Sequence, residues 1–191
     1  MLMKMATNFD IKKYIGKWYD IAHYPSWFQP NYAYNTTAEY SIESSTITPS
    51  RVSDKGGYLG IGELGNDTLK VINKSYIDAK IFISEGKAIK YQDNLFEVIF
   101  DKNNYKFLLE SGYFQMESFK DFIKGPNYKI MKVWSNEKGD YNVAIVSNET
   151  KSTFYLLCRT PFIDKQSWEV ILYYINQHFD MKKIIYTLHT L

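Results

Sequence analysis

The chain has 191 residues, a formal net charge of +2 and 23% charged residues. That length suits one domain, and the near-neutral balance gives no electrostatic case for nucleic acid. One Cys rules out an intrachain disulfide, and one Cys with three His argues against a structural zinc site, so no metal and no cofactor are expected.

The first ten residues, "MLMKMATNFD", hold no apolar run of secretory length and no small-residue cleavage site. A cytoplasmic location is therefore expected, or a secreted one if a leader has been removed. "FDIKKY" (9–14) is long enough for one helical turn leading into Gly16. Strand patterns follow at 17–24, 35–42, 68–77, 80–91, 95–100, 105–110, 128–135, 141–148 and 153–160. Turn clusters such as "SDKGG", "GND", "DKNN" and "NEKGD" separate them. Many short strands joined by such turns describe an all-β sandwich or barrel. The aromatic content of 17 Tyr, 12 Phe and 4 Trp fits strands, and it fits an apolar cavity that still offers hydrogen bonds.

One segment breaks the rhythm. "DKQSWEVILYYINQHF" (164–179) places Trp168, Ile171, Leu172, Ile175 and Phe179 at helical spacing, with Asp164 as N-cap. This helix is expected to lie outside the sheet, and "KKIIYTLHT" (182–190) reads as a last strand. The long connections 44–65 and 111–126 read either as lids or as peripheral decoration.

Five blocks in order resemble the lipocalins, in the subgroup of bacterial lipocalin, apolipoprotein D and the plant temperature-induced lipocalins. "FDIKKYIGKWYDIAHYPSWFQ" resembles the family's first block. "LKVINKSY" and "SEGKAI" resemble its second strand and the one after. "YNVAIVSN" with "FYLLCRTPFID" resembles its last two barrel strands, and "FDMKKIIYTL" its closing segment. The family's Thr-Asp-Tyr triplet has only Asp140-Tyr141 as a slipped counterpart, so no role is carried over to it. The resemblance implies one domain over residues 1–191, with 1–8 as an N-terminal extension and 164–179 as the C-terminal helix. Its fold would be an eight-stranded antiparallel up-and-down barrel, closed on itself and wide enough for one small ligand.

The resemblance also implies a barrel floor built from Gly16, Trp18 and Arg159, with the guanidinium over the indole face and free to donate to carbonyls of the N-terminal turn. Side-chain alternation then sets the interior. With Trp18 inward, Asp20 and Ala22 are expected inward and His23 outward. With Arg159 inward, Leu157, Tyr155 and Thr153 share its face and Cys158 points out. The resemblance implies that Asn73, and with it Val71, Ser75 and Ile77, faces the cavity, as do Tyr40 and Tyr155; with Phe96, Val98 and Phe100 taken as inward, these are the expected ligand-binding residues. Trp27 and Phe28, with Tyr32 nearby, are expected at the rim, closing a small core first and gating entry second.

Other signals are weaker. "GIGELG" (60–65) fits a dinucleotide-binding spacing, but a strand pattern rather than a helix follows it. Cys158 lacks a neighbouring base, and none of the three His makes a catalytic case. Asp20 and Glu39 could meet near one end of the barrel, but a hydrolase needs more. The expected function is non-enzymatic: carrying a small hydrophobic ligand of the fatty acid or lysophospholipid class. Transient membrane contact and a monomeric or homodimeric state complete the expectation. An enzyme acting on lipid or isoprenoid is the first alternative, and an interaction module with a self-filled barrel the second.

Overall fold

In the computed structural model, residues 4–5, 8–26, 29–43, 68–100 and 126–190 are described. The alternating segments form β2 (Gly16–His23), β3 (Tyr34–Ile42), β4 (Thr68–Ile77), β5 (Lys80–Gln92), β6 (Leu95–Phe100), β7 (Tyr128–Ser135), β8 (Tyr141–Ser147) and β9 (Tyr155–Cys158). All neighbours are antiparallel. Strand β2 pairs with both β3 and β9, and β7 pairs with β8, so these eight strands close on themselves. Closure leaves no free sheet edge between them. "LKVINKSY" and "SEGKAI" lie on the third and fourth barrel strands, one place later than expected, because "NTTAEYSI" supplies the second.

Two short strands lie outside the ring. β1 (Lys4–Met5), within the N-terminal extension, pairs with the end of β7. β10 (Ile185–Tyr186) pairs with the upper half of β2, where β3 has diverged from it. The expected last strand is shorter than its pattern because Met181–Lys183 forms a 3-10 turn first.

The ring has an inner and an outer core. Inside lie Trp18, Tyr40, Val71, Phe96, Val98, Ala144 and Leu157, among others. Outside, Ala22, Trp134, Val143, Ile145, Leu156 and Cys158 pack under helix α2 (Lys165–His178) through Ile171, Ile175 and Phe179. Asp164 caps α2 by accepting from the Ser167 amide at 2.9 Å and the Ser167 hydroxyl at 2.6 Å. Ile171 and Ile175 are fully buried, at about 1.5–3 kcal/mol each. Strand β8 is apolar on both faces because the cavity side and the helix cover it together.

Among the described residues, Gly86 marks the place where a strand must tolerate very close contact. A Cβ there would stand 2.5 Å from the Ile99 carbonyl oxygen and 2.6 Å from the Phe100 ring. Glycine lets β5 and β6 pass with Phe100 turned inward. Strands β6 and β7 pair only through Leu95–Lys129 and Phe96–Tyr128. Beyond that the Asn127 side chain substitutes for a peptide: its Oδ1 accepts from the Val98 amide at 2.9 Å and its Nδ2 donates to the Val98 carbonyl at 3.0 Å.

Candidate ligand cavity

The floor of the barrel is built by the chain's first helix and its last barrel strand. Asp10 caps α1 (Ile11–Tyr14), and the turn lies across the end of the barrel. Trp18 is fully buried and donates its Nε1–H to the Tyr14 carbonyl at 2.7 Å. The Arg159 guanidinium lies 3.8 Å from the centre of the Trp18 ring. Arg159 also donates to the carbonyls of Lys17 (2.8 Å), Lys13 (2.9 Å), Tyr14 (3.1 Å), Ile15 (2.8 Å) and Tyr141 (3.3 Å). A planar fork with several donors satisfies the carbonyl end of a one-turn helix as no lysine could. Gly16 has φ +99, and a Cβ there would meet the Arg159 Nη1 at 3.2 Å. Only glycine serves both conditions without strain.

Tyr141, to which the sequence assigned no role, ties down the other side of the floor. Its hydroxyl accepts from the Asp10 amide at 2.7 Å and donates to the Asn8 carbonyl at 3.0 Å. Phe9 stacks on its ring at 6.0 Å. Above this, Tyr128 links the hydroxyls of Tyr14 (2.6 Å) and Tyr40 (2.7 Å). Burial raises the pKa of all three phenols, that of Tyr40 to about 12. They are neutral hydrogen-bonding groups at ordinary pH.

Over the floor lies a cavity of about 130 Å³. Tyr40, Val71, Asn73, Ser75, Ile77, Val98, Phe100 and Tyr155 all line it. Phe96 shares their inward parity but sits lower, in the floor cluster against Phe9 and Tyr128. Further wall comes from residues the sequence did not single out, including Gln29, Thr36, Phe82, Ser84, Asn127 and Tyr128. Asn73, part of an Asn-x-Ser sequon, is among the lining residues. Trp27 and Phe28, the G-x-G-x-x-G spacing at 60–65, the strand pattern at 105–110 and nearly all of both long connections fall outside the described residues.

The main departure from the expected register is at Ile21. The pairing of β2 with β9 slips between Asp20 and Ala22, a β-bulge. Past it every side chain changes face. Ala22, expected inside, joins the outer core under α2, and His23, expected outside, is fully buried on the inner side. The His23 ring runs nearly parallel to that of Tyr155 at 6.4 Å. Glu39 is exposed on the outer face of β3 opposite Lys17, so it does not meet the inward Asp20.

The bulge creates a polar cluster. The Asp20 Oδ2 accepts from Gln29 Nε2 (2.8 Å) and Thr187 Oγ1 (3.1 Å), and the His23 Nδ1 stands 2.8 Å from it. His189 Nε2 contacts the Asp20 carbonyl at 2.8 Å. The segment after β10 thus closes the gap between β2 and β3 and completes the cluster, with Asn35 bonded to Leu188 and Thr190. Asp20 Oδ1 and His23 Nε2 are buried and have no hydrogen-bond partner. Cys158 faces the outer core, and burial raises its thiol pKa. No group of three or more His, Cys, Asp or Glu among the described residues is arranged to hold a metal ion.

A closed antiparallel barrel with an apolar cavity and one helix outside it defines a class of small-molecule binding proteins. The lipocalin-like domain model matches residues 9–56 and 68–189, and the chain belongs to that family. Temperature-induced lipocalin-1 of Arabidopsis thaliana is 22% identical over 184 residues, covering 95% of this chain and 80% of the relative. Outer membrane lipoprotein Blc of Escherichia coli K12 is 28% identical over 185 residues, covering 95% and 80%. The expected subgroup is thus shown. Among solved structures, the cockroach allergen Per a 4 superposes with a TM-score of 0.55 at 12% identity, covering 98% of this chain and 94% of that one. Lobster apocrustacyanin A1 gives 0.55 at 11%, covering 94% and 79%. These two show the shared fold. The cytoplasmic location expected from the sequence gains no support from relatives named as outer membrane lipoproteins. No helix among the described residues is long and apolar enough to cross a membrane.

Proposed function

We propose that the protein binds and carries a small amphiphile, with its hydrocarbon part in the barrel and its polar head near the upper wall, and does no chemistry on it. The observation that carries this reading is the cavity: apolar side chains from most of the barrel strands converge on it, with a few placed polar groups among them. Family membership supports binding of a small hydrophobic molecule in the same place. A single acyl chain, as in a fatty acid or a lysophospholipid, suits a cavity of this volume better than a bulky fused-ring ligand. The reading without a catalytic step is supported by Cys158, which packs in the outer core, away from the cavity.

Trp27 and Phe28, which lie outside the described residues, immediately precede Gln29 in the sequence, and Gln29 lines the cavity. Native mass spectrometry with a series of C8 to C16 amphiphiles tests it directly. One bound molecule per chain is expected, lost when Ser75→Trp fills the cavity. Stoichiometric binding unchanged by that substitution would place the ligand elsewhere. Trp27→Ala is expected to change association and dissociation rates while the melting temperature stays nearly constant.

A further inference from the structure

We propose that Asn73, Ser75 and Ser84 form a polar subsite of the cavity, and that it receives the carbonyl oxygen of an acyl group whose chain runs toward the floor. This deepens the carrier reading above and rests on it. The strand register gathers the three side chains into one patch. Asn73 and Ser84 are directly opposed on β4 and β5, and Ser75 stands two residues above Asn73 on the same face. Opposed positions hold their Cβ atoms about 5 Å apart, and a diagonal neighbour stands about 7–8 Å away. All three residues line the cavity. The same inward face is apolar on either side of them. On β4 it continues with Val71 toward the floor and Ile77 toward the mouth, and on β5 with Ala88 below and Phe82 above.

The second support is the state of their polar atoms. Among the described residues, the side chains of Asn73, Ser75 and Ser84 have no hydrogen-bond partner. The bare Asp20 Oδ1 and His23 Nε2 are sealed from the cavity, whereas none of these three side chains has a sealed bare atom. Polar groups inside a fold are ordinarily bonded, and a few left open toward an apolar cavity are what orients a ligand there. The patch offers two hydroxyl donors and an amide NH2. An acyl carbonyl is the matching acceptor, and a free fatty acid and an acyl ester both carry one. From that point the chain descends past Val71, Val98 and Leu157. The reverse orientation is poorer, because the floor hydroxyls of Tyr14, Tyr40 and Tyr128 are already bonded to one another.

The test compares 1-lauroyl-lysophosphatidylcholine with its 1-O-dodecyl ether analogue, which share head group and chain length and differ by the carbonyl. Binding to the intact chain is measured by calorimetry below both critical micelle concentrations. The ester is expected to bind about tenfold tighter. Ser75→Ala combined with Ser84→Ala removes two donors and adds no bulk. It is expected to narrow the gap to about threefold or less by weakening the ester alone. Circular dichroism confirms that the double variant is folded, and the wild-type comparison stands without it. Dodecanoate, run against the same variant, separates the two sources of the carbonyl: a matching loss extends the subsite to the free acid, and constant affinity confines it to esters. Equal binding of ester and ether, or a gap untouched by the double variant, overturns the subsite while leaving the carrier reading in place. Failure of all three ligands to bind overturns the carrier reading itself.

Discussion

The two ends of this barrel are finished differently. At the floor, every polar group of Arg159, Trp18, Tyr14 and Tyr141 has a partner, and glycine sits where φ is positive. Toward the other end, Asp20 and His23 keep bare polar atoms, and Asp78 and Ala79 turn the β4–β5 hairpin with φ of 48° and 62°. Inside the barrel the bare polar atoms lie away from the saturated floor, while under α2 the Trp134 Nε1 is bare as well.

Removing Arg159 gives the sharpest test of that contrast. Arg159→Ala leaves five carbonyls and an indole face without their cation, and about 3 kcal/mol of stability should go. For a chain of this length that is a fall in melting temperature of roughly 6–12 °C. A change under about 2 °C would erase the distinction between the two ends. At the polar cluster, Asp20→Ala strands the Gln29 and Thr187 donors and takes a close contact from the His23 ring, but also removes a bare buried oxygen. A smaller loss of about 1–2 kcal/mol is expected by urea unfolding.

The tyrosine relay makes a prediction about pH. The Tyr40 pKa is raised in the folded state to about 12, from about 10 in the unfolded chain. Above pH 10 the unfolded state sheds this proton first, so stability falls by up to about 1.4 kcal/mol per pH unit until pH 12. It is fully present below pH 10. Tyr14 and Tyr128 shift in the same direction and steepen the loss. Tyr128→Phe should make the alkaline fall shallower in urea titrations at pH 8, 10 and 11. The smallest expected effect has the opposite sign. Ala79→Gly relieves a left-handed alanine in a two-residue hairpin, and a gain of about 0.5–1 kcal/mol is expected. No gain would mean that the turn is not where the far end stores its strain.

Much of the floor was legible in the sequence, because Gly16, Trp18 and Arg159 lie in distinct blocks whose order fixes where they meet. The wall of β4 was legible too, since uninterrupted alternation carries Val71 through Ile77 along one face. The polar cluster was not. A single extra residue at Ile21 reverses parity, and a bulge leaves no mark in a hydrophobic pattern. Thr187 and His189 were invisible for a different reason: they act on β2 from a segment whose register depends on where β3 peels away. Phe96 was placed on the correct face at the wrong height, because alternation reports direction and not depth.

Arg159 reaches carbonyls 142 and 146 residues earlier in the chain. No early piece of the chain can seal the floor, since the guanidinium arrives only with the last barrel strand. Loop closure over such a span is entropically costly before it is rewarded, which marks the protein as a slow folder. During synthesis the first strands must wait, with their inner faces exposed, until the last barrel strand has been made. Any molecule that shelters those faces in the interval acts on folding yield before it acts as cargo.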